Sequence, residues 1–529
     1  MKTTAKRFCK TLLPLFLAVT MVAGLLVGCA KMDYTNGGGV NGNYFAPAEE
    51  AGAELYSKAD LDKDNAEEPS DAFVENPFID TARQNVSTFS ADVDTASYAL
   101  FRKAVTGWVR QKANKQTILS ALEKNATFFR TEEFLNYFRY EANAPKDGEL
   151  FGTTAGILPC PWNPKNQLLR LTLQAPATTP TGGNNLVFLI DVSGSMSTED
   201  KLPLLKTAFT YLVNQLTERD VVSIVTYSGK EEVVLQGCAG NERQKILDAV
   251  NGLTARGATN GEAGMKKAYE LAADYRIEGG NNRIIMASDG DLNVGIRSGD
   301  ELKAFIEGKR NEGTFLSILG FGSGNYRDST METLAHNGNG VYYYIDGESE
   351  AQKVFGTDLI STLYTVAKDV KMQLTFDPTY VASYRQIGYE NRQLNREDFT
   401  DDTKDAGEVG AGHQVTVFYE LVMTENGQKT DLAADTAFMT LAVRYKAPDG
   451  DVSKEDTYSI GVSDRTVPDS DTEFMFCVLE LTMLLHNSKY LPADKSVTYA
   501  TVLAKLRGLD LDRHSDRAEF RSLVEAFAE

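Results

Sequence analysis

Leu186-Val187-Phe188-Leu189-Ile190-Asp191-Val192-Ser193-Gly194-Ser195 joins five consecutive apolar residues to an acid and two hydroxyls at alternate positions. A short apolar run with no polar alternation predicts a strand buried on both faces. In an open parallel sheet, ligands bind just beyond the carboxyl ends of the strands. Asp191, Ser193 and Ser195 are therefore expected in a loop at that edge, where their oxygens can meet on one hard cation.

The same pattern continues on both sides. From Asn185 to about Asp369, short apolar runs alternate with amphipathic stretches. Strands are expected at Leu186–Ile190, Val221–Tyr227, Glu232–Gln236, Arg283–Ala287, Thr314–Phe321 and Val341–Ile345. Leu204, Leu205, Ala208, Tyr211 and Leu212 repeat at helical spacing. This predicts an α/β fold with a doubly wound, mostly parallel sheet. Gly257-Ala258-Thr259-Asn260 opens a helix expected over Ala263–Ala273, and Ser288-Asp289-Gly290-Asp291 follows a strand. Thr259 and Asp289 should therefore reach the same edge as Asp191.

Asp191, Ser193, Ser195, Thr259 and Asp289 together resemble the metal-ion-dependent adhesion site (MIDAS) of the von Willebrand factor type A (VWA) family. Asp-x-Ser-x-Ser alone is a weak signal; with the Thr, the second Asp and the strand contexts in order it is specific. The resemblance implies a Rossmann-like fold and a Mg²⁺ (or Mn²⁺) ion held by oxygen ligands. The three hydroxyls would bind directly, and the two acids directly or through water. It further implies an open coordination position for an Asp or Glu carboxylate of a protein partner. Glu262 stands where Gly is expected, close to Thr259. With Asp291 it is assigned to the ligand rim, where its carboxylate would occupy or repel the open position. Glu199 and Asp200 are read as acids at a helix start rather than as a second cation site.

Longer runs extend the resemblance. Ser87–Tyr98, Glu132–Tyr140 and Cys160–Asn163, with Ile387-Gly388-Tyr389-Glu390-Asn391-Arg392 and the run from Asp405 to His413, resemble bacterial YfbK-type VWA lipoproteins. The likeness covers nearly all of 76–529. Phe134, Tyr137 and Phe138 fall on one helical face and are expected in the core. Asp92 and Asp94 are read as a hydrogen-bonded turn rather than a cation site.

The chain opens with Lys2, Lys6, Arg7 and Lys10, then an apolar run to Val27, then Gly28-Cys29. This predicts a lipoprotein signal peptide over 1–28 and acylation of Cys29. The protein would then be lipid-anchored to a membrane of the bacterial envelope, on its extracytoplasmic side. Residues 29–75 read as an acidic flexible tether. Within it Asp60, Asp62 and Asp64 lack the glycine and final glutamate of a calcium loop. Residues 76–184 form an N-terminal region of helix plus strands, 185–369 the VWA domain, and 370–529 an antiparallel β region followed by helices.

A net charge of −20 argues against nucleic acid as a partner. Of five cysteines, Cys160, Cys238 and Cys477 are expected as buried thiols. His336, His413, His486 and His514 have no metal or triad spacing and are assigned to local hydrogen bonding. The chain has no Gly-x-Ser-x-Gly elbow, Walker loop or HExxH motif, so no enzyme is expected. The leading expectation is a membrane-anchored protein that binds a protein partner through its metal site. The alternative is a scaffold or assembly factor that recruits clients, working with an AAA+ ATPase. A hydrolase ranks below both.

Overall fold

A computed structural model describes residues 73–177, 182–257, 261–290, 299–322, 328–358, 361, 363–448 and 450–528. The chain enters through two short strands, β1 (Ile79–Asp80) and β2 (Val86–Ser90), and three helices, α1 (Ala96–Arg110), α2 (Lys115–Lys124) and α3 (Thr131–Tyr137). A hairpin follows, β3 (Gly152–Pro159) and β4 (Gln167–Gln174).

The central domain comes next. Its elements are β5 (Asn184–Asp191), α4 (Leu202–Gln215), β6 (Val221–Tyr227), β7 (Glu231–Ala239), α5 (Arg243–Asn251) and α6 (Glu262–Asp274). They continue with β8 (Asn281–Ser288), α7 (Gly299–Asn311), β9 (Phe315–Phe321), α8 (Asp328–Asn337), β10 (Tyr342–Ile345) and α9 (Glu348–Gln352). The chain then returns to antiparallel strands: β11 (Thr365–Phe376), β12 (Val381–Ile387), β13 (Gln393–Leu394), β14 (Gly407–Gly410), β15 (Gln414–Met423), β16 (Ala437–Lys446) and β17 (Ser453–Gly461). Three helices close it, α10 (Ser470–Leu485), α11 (Tyr499–Gly508) and α12 (Ser515–Ala528).

The central sheet has the order β10-β9-β8-β5-β6-β7. All its pairs are parallel except β6–β7, so β7 is an antiparallel edge strand. Strand β5 lies in the middle and is buried along its whole length, as an unbroken apolar run requires. Helix α4 packs Leu205, Ala208, Phe209 and Leu212 against the face that carries Phe188 and Ile190. The expected doubly wound, mostly parallel α/β sheet is present.

The flanking strands build two antiparallel sheets, β1-β12-β15-β4-β3 and β13-β2-β11-β16-β17, with β14 pairing β11. Each draws strands from both ends of the chain. β15 pairs β4 and β12 pairs β1 in one sheet; β11 pairs β2 in the other. The sheets face each other across an aromatic core, where Phe376 stacks on Tyr384 with ring centroids 4.1 Å apart. Phe89 and Phe376 also meet Tyr419 across that core.

Strands β4 and β15 are buried almost throughout. The outer face of their sheet is covered by helices: Phe418 meets Phe476 of α10, and α3 crosses β15. Strand β17, at a sheet edge, is largely open to solvent up to Ser459 and buried only at Ile460 and Gly461. Phe134, Tyr137 and Phe138 are buried in this helical layer, as their spacing indicates.

Candidate metal centre

The loop after β5 is held by its neighbours. Val192 donates its N–H to Tyr227 O at the end of β6, and Arg256 donates its N–H to Val192 O. Gly194 donates its N–H to Gly257 O, so the first and second loops are joined by two backbone hydrogen bonds. Gly257 has φ +83° and lies so close to Ser228 that a Cβ there would stand 2.5 Å from Ser228 Oγ. Only glycine fits that turn without strain. Thr259, two residues on, lies outside the described residues, as do Asp291 and Cys29.

Asp191 is fully buried, and its Oδ1 accepts the N–H of Ser193 at 2.7 Å. Ser193 Oγ and Ser195 Oγ are 3.0 Å apart. Ser193 is buried while Ser195 is exposed, so the hydroxyl pair runs from the sheet edge out to solvent. Asp289 is also buried, one residue past β8. Asp191 thus ends β5, and Ser193, Ser195 and Asp289 occupy the loops at the carboxyl ends of two paired parallel strands. This donor set consists of oxygens, as a small hard cation requires.

Two further residues complete the environment. Lys201 Nζ donates to Asp289 Oδ2 at 2.9 Å and to Ser195 O at 3.0 Å. A positive group therefore already stands against a carboxylate of this set. Tyr227 is buried beneath them; burial, and then the charge of Asp191, hold its phenol well above its ordinary pKa. Neither residue was singled out from the sequence. Lys201 lies six positions past Ser195 on the same loop, and that short spacing is the signal that was available.

Glu262 begins α6, and its Oε1 accepts from Lys266 Nζ at 2.6 Å, one helical turn on. Asp200 Oδ2 accepts from Lys103 Nζ of α1 at 3.0 Å. Lys103 also donates to Tyr344 OH, which in turn donates to Gly322 O beside Lys201. The rim of the site is thereby bonded to the amino-terminal helices.

Another acidic group lies elsewhere. Asp369, Asp405 and Glu408 approach within 4.8 Å of one another on β11, β14 and the segment before β14. Asp369 is paired with Lys446 at 2.6 Å and Asp405 with Arg310 at 2.6 Å. Burial pushes Asp405 up to about 6 and Glu408 well above its ordinary range. Two of the three acids have cations of their own, so the cluster is not assigned to a metal.

Asp92 and Asp94 form the expected turn, with Asp94 N–H donating to Asp92 Oδ1 at 3.1 Å. Both also pair with Arg392 at 3.3 Å. His413 Nδ1 accepts Gly410 N–H at 3.1 Å, and His486 Nε2 lies 3.0 Å from Ala126 O. Burial lowers these imidazoles to about 3 and about 4. Cys160, Cys238 and Cys477 are buried free thiols.

A family profile described as "von Willebrand factor type A domain" matches residues 185–357. One described as "von Willebrand factor" matches 64–170, and one described as "Uncharacterized protein YfbK, C-terminal" matches 361–529. The Escherichia coli (strain K12) protein named "Uncharacterized protein YfbK" is 36% identical over 476 residues, covering 86% of this chain and 80% of that protein. Human "Inter-alpha-trypsin inhibitor heavy chain H3" is 29% identical over 188 residues, covering 34% of this chain and 21% of that protein. Among solved structures, "von Willebrand factor type A from Catenulispora acidiphila" is similar with a TM-score of 0.40 and 14% identity, over 74% of this chain and 90% of that one.

Proposed function

The chain belongs to the YfbK-type family of VWA proteins, and from that premise we propose that it is a lipid-anchored, extracytoplasmic binding protein. VWA domains mediate protein–protein contacts and often hold a divalent metal. The finer reading for this chain is a Mg²⁺ or Mn²⁺ ion at Asp191, Ser193, Ser195, Thr259 and Asp289. Its open position would accept an Asp or Glu carboxylate of a protein partner. The ion would supply a Lewis-acidic contact; the chain's own residues orient it and position the partner.

One observation carries this reading: two buried acids and a hydroxyl pair lie together on neighbouring loops and offer only oxygens. Catalysis is not part of the proposal. The flanking sheets and helices serve as a platform, because Lys103 and Tyr344 tie the site's rim to α1. The anchor rests on Cys29 and the segment before it.

The test is calorimetric titration of MgCl₂ and MnCl₂ into the full chain in detergent, alongside Asp191→Ala. Saturable binding by the wild type alone supports the site. Equal binding by both, or none by either, removes it.

A further inference from the structure

We propose that Lys201 is a tethered counter-cation: it holds Asp289 when no metal is bound and must leave Asp289 for a metal to enter. The inference rests on the metal reading above and concerns how that site is regulated.

The ammonium spans the site. It donates to Asp289 Oδ2 on the third loop and to Ser195 O on the first, at 2.9 and 3.0 Å. Lys201 is only 9% exposed. Its seat is built rather than incidental. Lys201 N–H donates to Thr198 O and Lys201 O accepts from Leu205 N–H, which fixes its backbone at the start of α4. Its aliphatic stem lies against Gly322, where a Cβ would stand 2.1 Å from Lys201 Cε. Gly322 has φ +82°, and its carbonyl accepts from Tyr344 OH. A side chain at 322 would close the channel that the lysine occupies.

An ammonium and a divalent cation compete for the same carboxylate. With both present beside Asp289, they would repel each other in a poorly solvated site. A lysine stem has freely rotating bonds and a compact charge, and Ser197, Thr198 and Glu199 beside it are exposed. The ammonium therefore has a route to solvent. While seated, it satisfies the buried Asp289 and keeps the first and third loops together. Occupation by metal is then an exchange: one cation in, the tethered one out. The consequence is a site that stays ordered without metal and whose apparent metal affinity is lowered by the cost of displacing the lysine.

The experiment compares the full-length wild type with Lys201→Met, Lys201→Gln and Asp191→Ala by calorimetric titration of MgCl₂ and MnCl₂. Exchange predicts that both Lys201 variants bind metal at least tenfold more tightly than the wild type. A wild type that binds no metal beside Lys201 variants that do would support the exchange in its strongest form. Equal or weaker binding by folded Lys201 variants, beside a wild type that saturates, overturns the inference and leaves the metal site standing. No binding by any folded protein overturns both.

A readout on the unmodified chain guards against misfolded variants. Amine footprinting at fixed pH should find Lys201 protected in EDTA and acetylated at saturating Mg²⁺. Protection unchanged by bound Mg²⁺ overturns the exchange.

Discussion

Asp289 and Lys201 form a buried pair, with side chains 3% and 11% exposed. Removing one partner of such a pair leaves an uncompensated charge, which destabilises a protein by about 3–5 kcal/mol. Lys201→Met, which takes the ammonium from the buried Asp289 carboxylate, should therefore lower the urea midpoint clearly, by about 3 kcal/mol of stability. Adding Asp289→Ala to it should recover most of the loss. Two independent, additive losses would show that the pair is not a unit. Glu262 belongs to the same scale. Its carboxylate is held by Lys266 along the helix rather than left free over the loops. Glu262→Gln should accordingly leave Mg²⁺ affinity within about twofold in calorimetry, the i,i+4 pair itself contributing only about 0.5 kcal/mol. A large gain in affinity would place Glu262 over the metal.

Helix α1 shows how one element fastens the central domain to its flank. Arg102 of α1 pairs with Asp346 just past β10 at 2.5 Å, with Glu350 of α9 at 2.7 Å, and with Glu519 of α12 at 3.1 Å. Arg102→Met would strand two buried acids, and about 3–5 kcal/mol should be lost in urea denaturation. Helix α3 carries a different charge. Glu132, in its first turn, is buried and accepts Tyr389 N–H at 2.9 Å. Burial, and then the charge of Glu390, push its carboxyl from 4.5 up to about 8. Between those values the folded chain holds a proton that the unfolded chain releases. Stability from this group therefore falls as pH rises through that window and is level above it. Glu132→Gln keeps an acceptor for Tyr389. Its urea midpoint should fall less between pH 5 and pH 8 than that of the wild type; parallel losses would clear Glu132 of the effect.

Which of these elements the sequence made legible follows from locality. The strands of the central sheet are readable because each is a continuous apolar run, and β6 spans Val221–Tyr227 as expected. The loop acids and hydroxyls follow directly from those strands. Helices α1 and α2 fall in the region expected as helix plus strands, without bounds of their own, and strand β12 was not anticipated. Strand β12 mixes Tyr384 and Ile387 with Arg385, whose charge reads as surface. In the structure Arg385 is buried between Glu75 and Glu420, partners 310 and 35 residues away. No periodicity can reveal a pairing at that distance. The runs that carried the family resemblance have the same logic. Arg392 pairs with Asp92, Asp94 and Glu332 of α8, so motifs far apart in the chain are the two sides of one buried junction.

That junction sets the unit of folding for the whole molecule. Strand β4 needs β15, β2 needs β11 and β1 needs β12, so neither flank can complete a sheet without the other. The central domain is inserted between them and shares their core: Phe188 and Phe209 belong to the same apolar cluster as Leu171 and Leu374. The described residues accordingly make up one compact unit. Backbone groups and apolar faces would be left open wherever this arrangement was cut, and an open strand edge pairs promiscuously. Calorimetric heating of the chain should therefore give a single transition, with central and flanking signals lost together. A chain ending at residue 361 should lose the sandwich altogether, because β2 would have no partner and β4 would keep only its hairpin partner β3. Residues 185–357 alone should be markedly less stable and prone to associate, since Asp346 and Glu350 lose Arg102 and the cover of α1 over β10 is gone. Two separate transitions, or a 185–357 fragment as stable as the parent, would mean that the central domain stands alone. The ties from α1 to the metal rim would then be ornamental, and a bound partner would be oriented by the loops rather than by the platform beneath them.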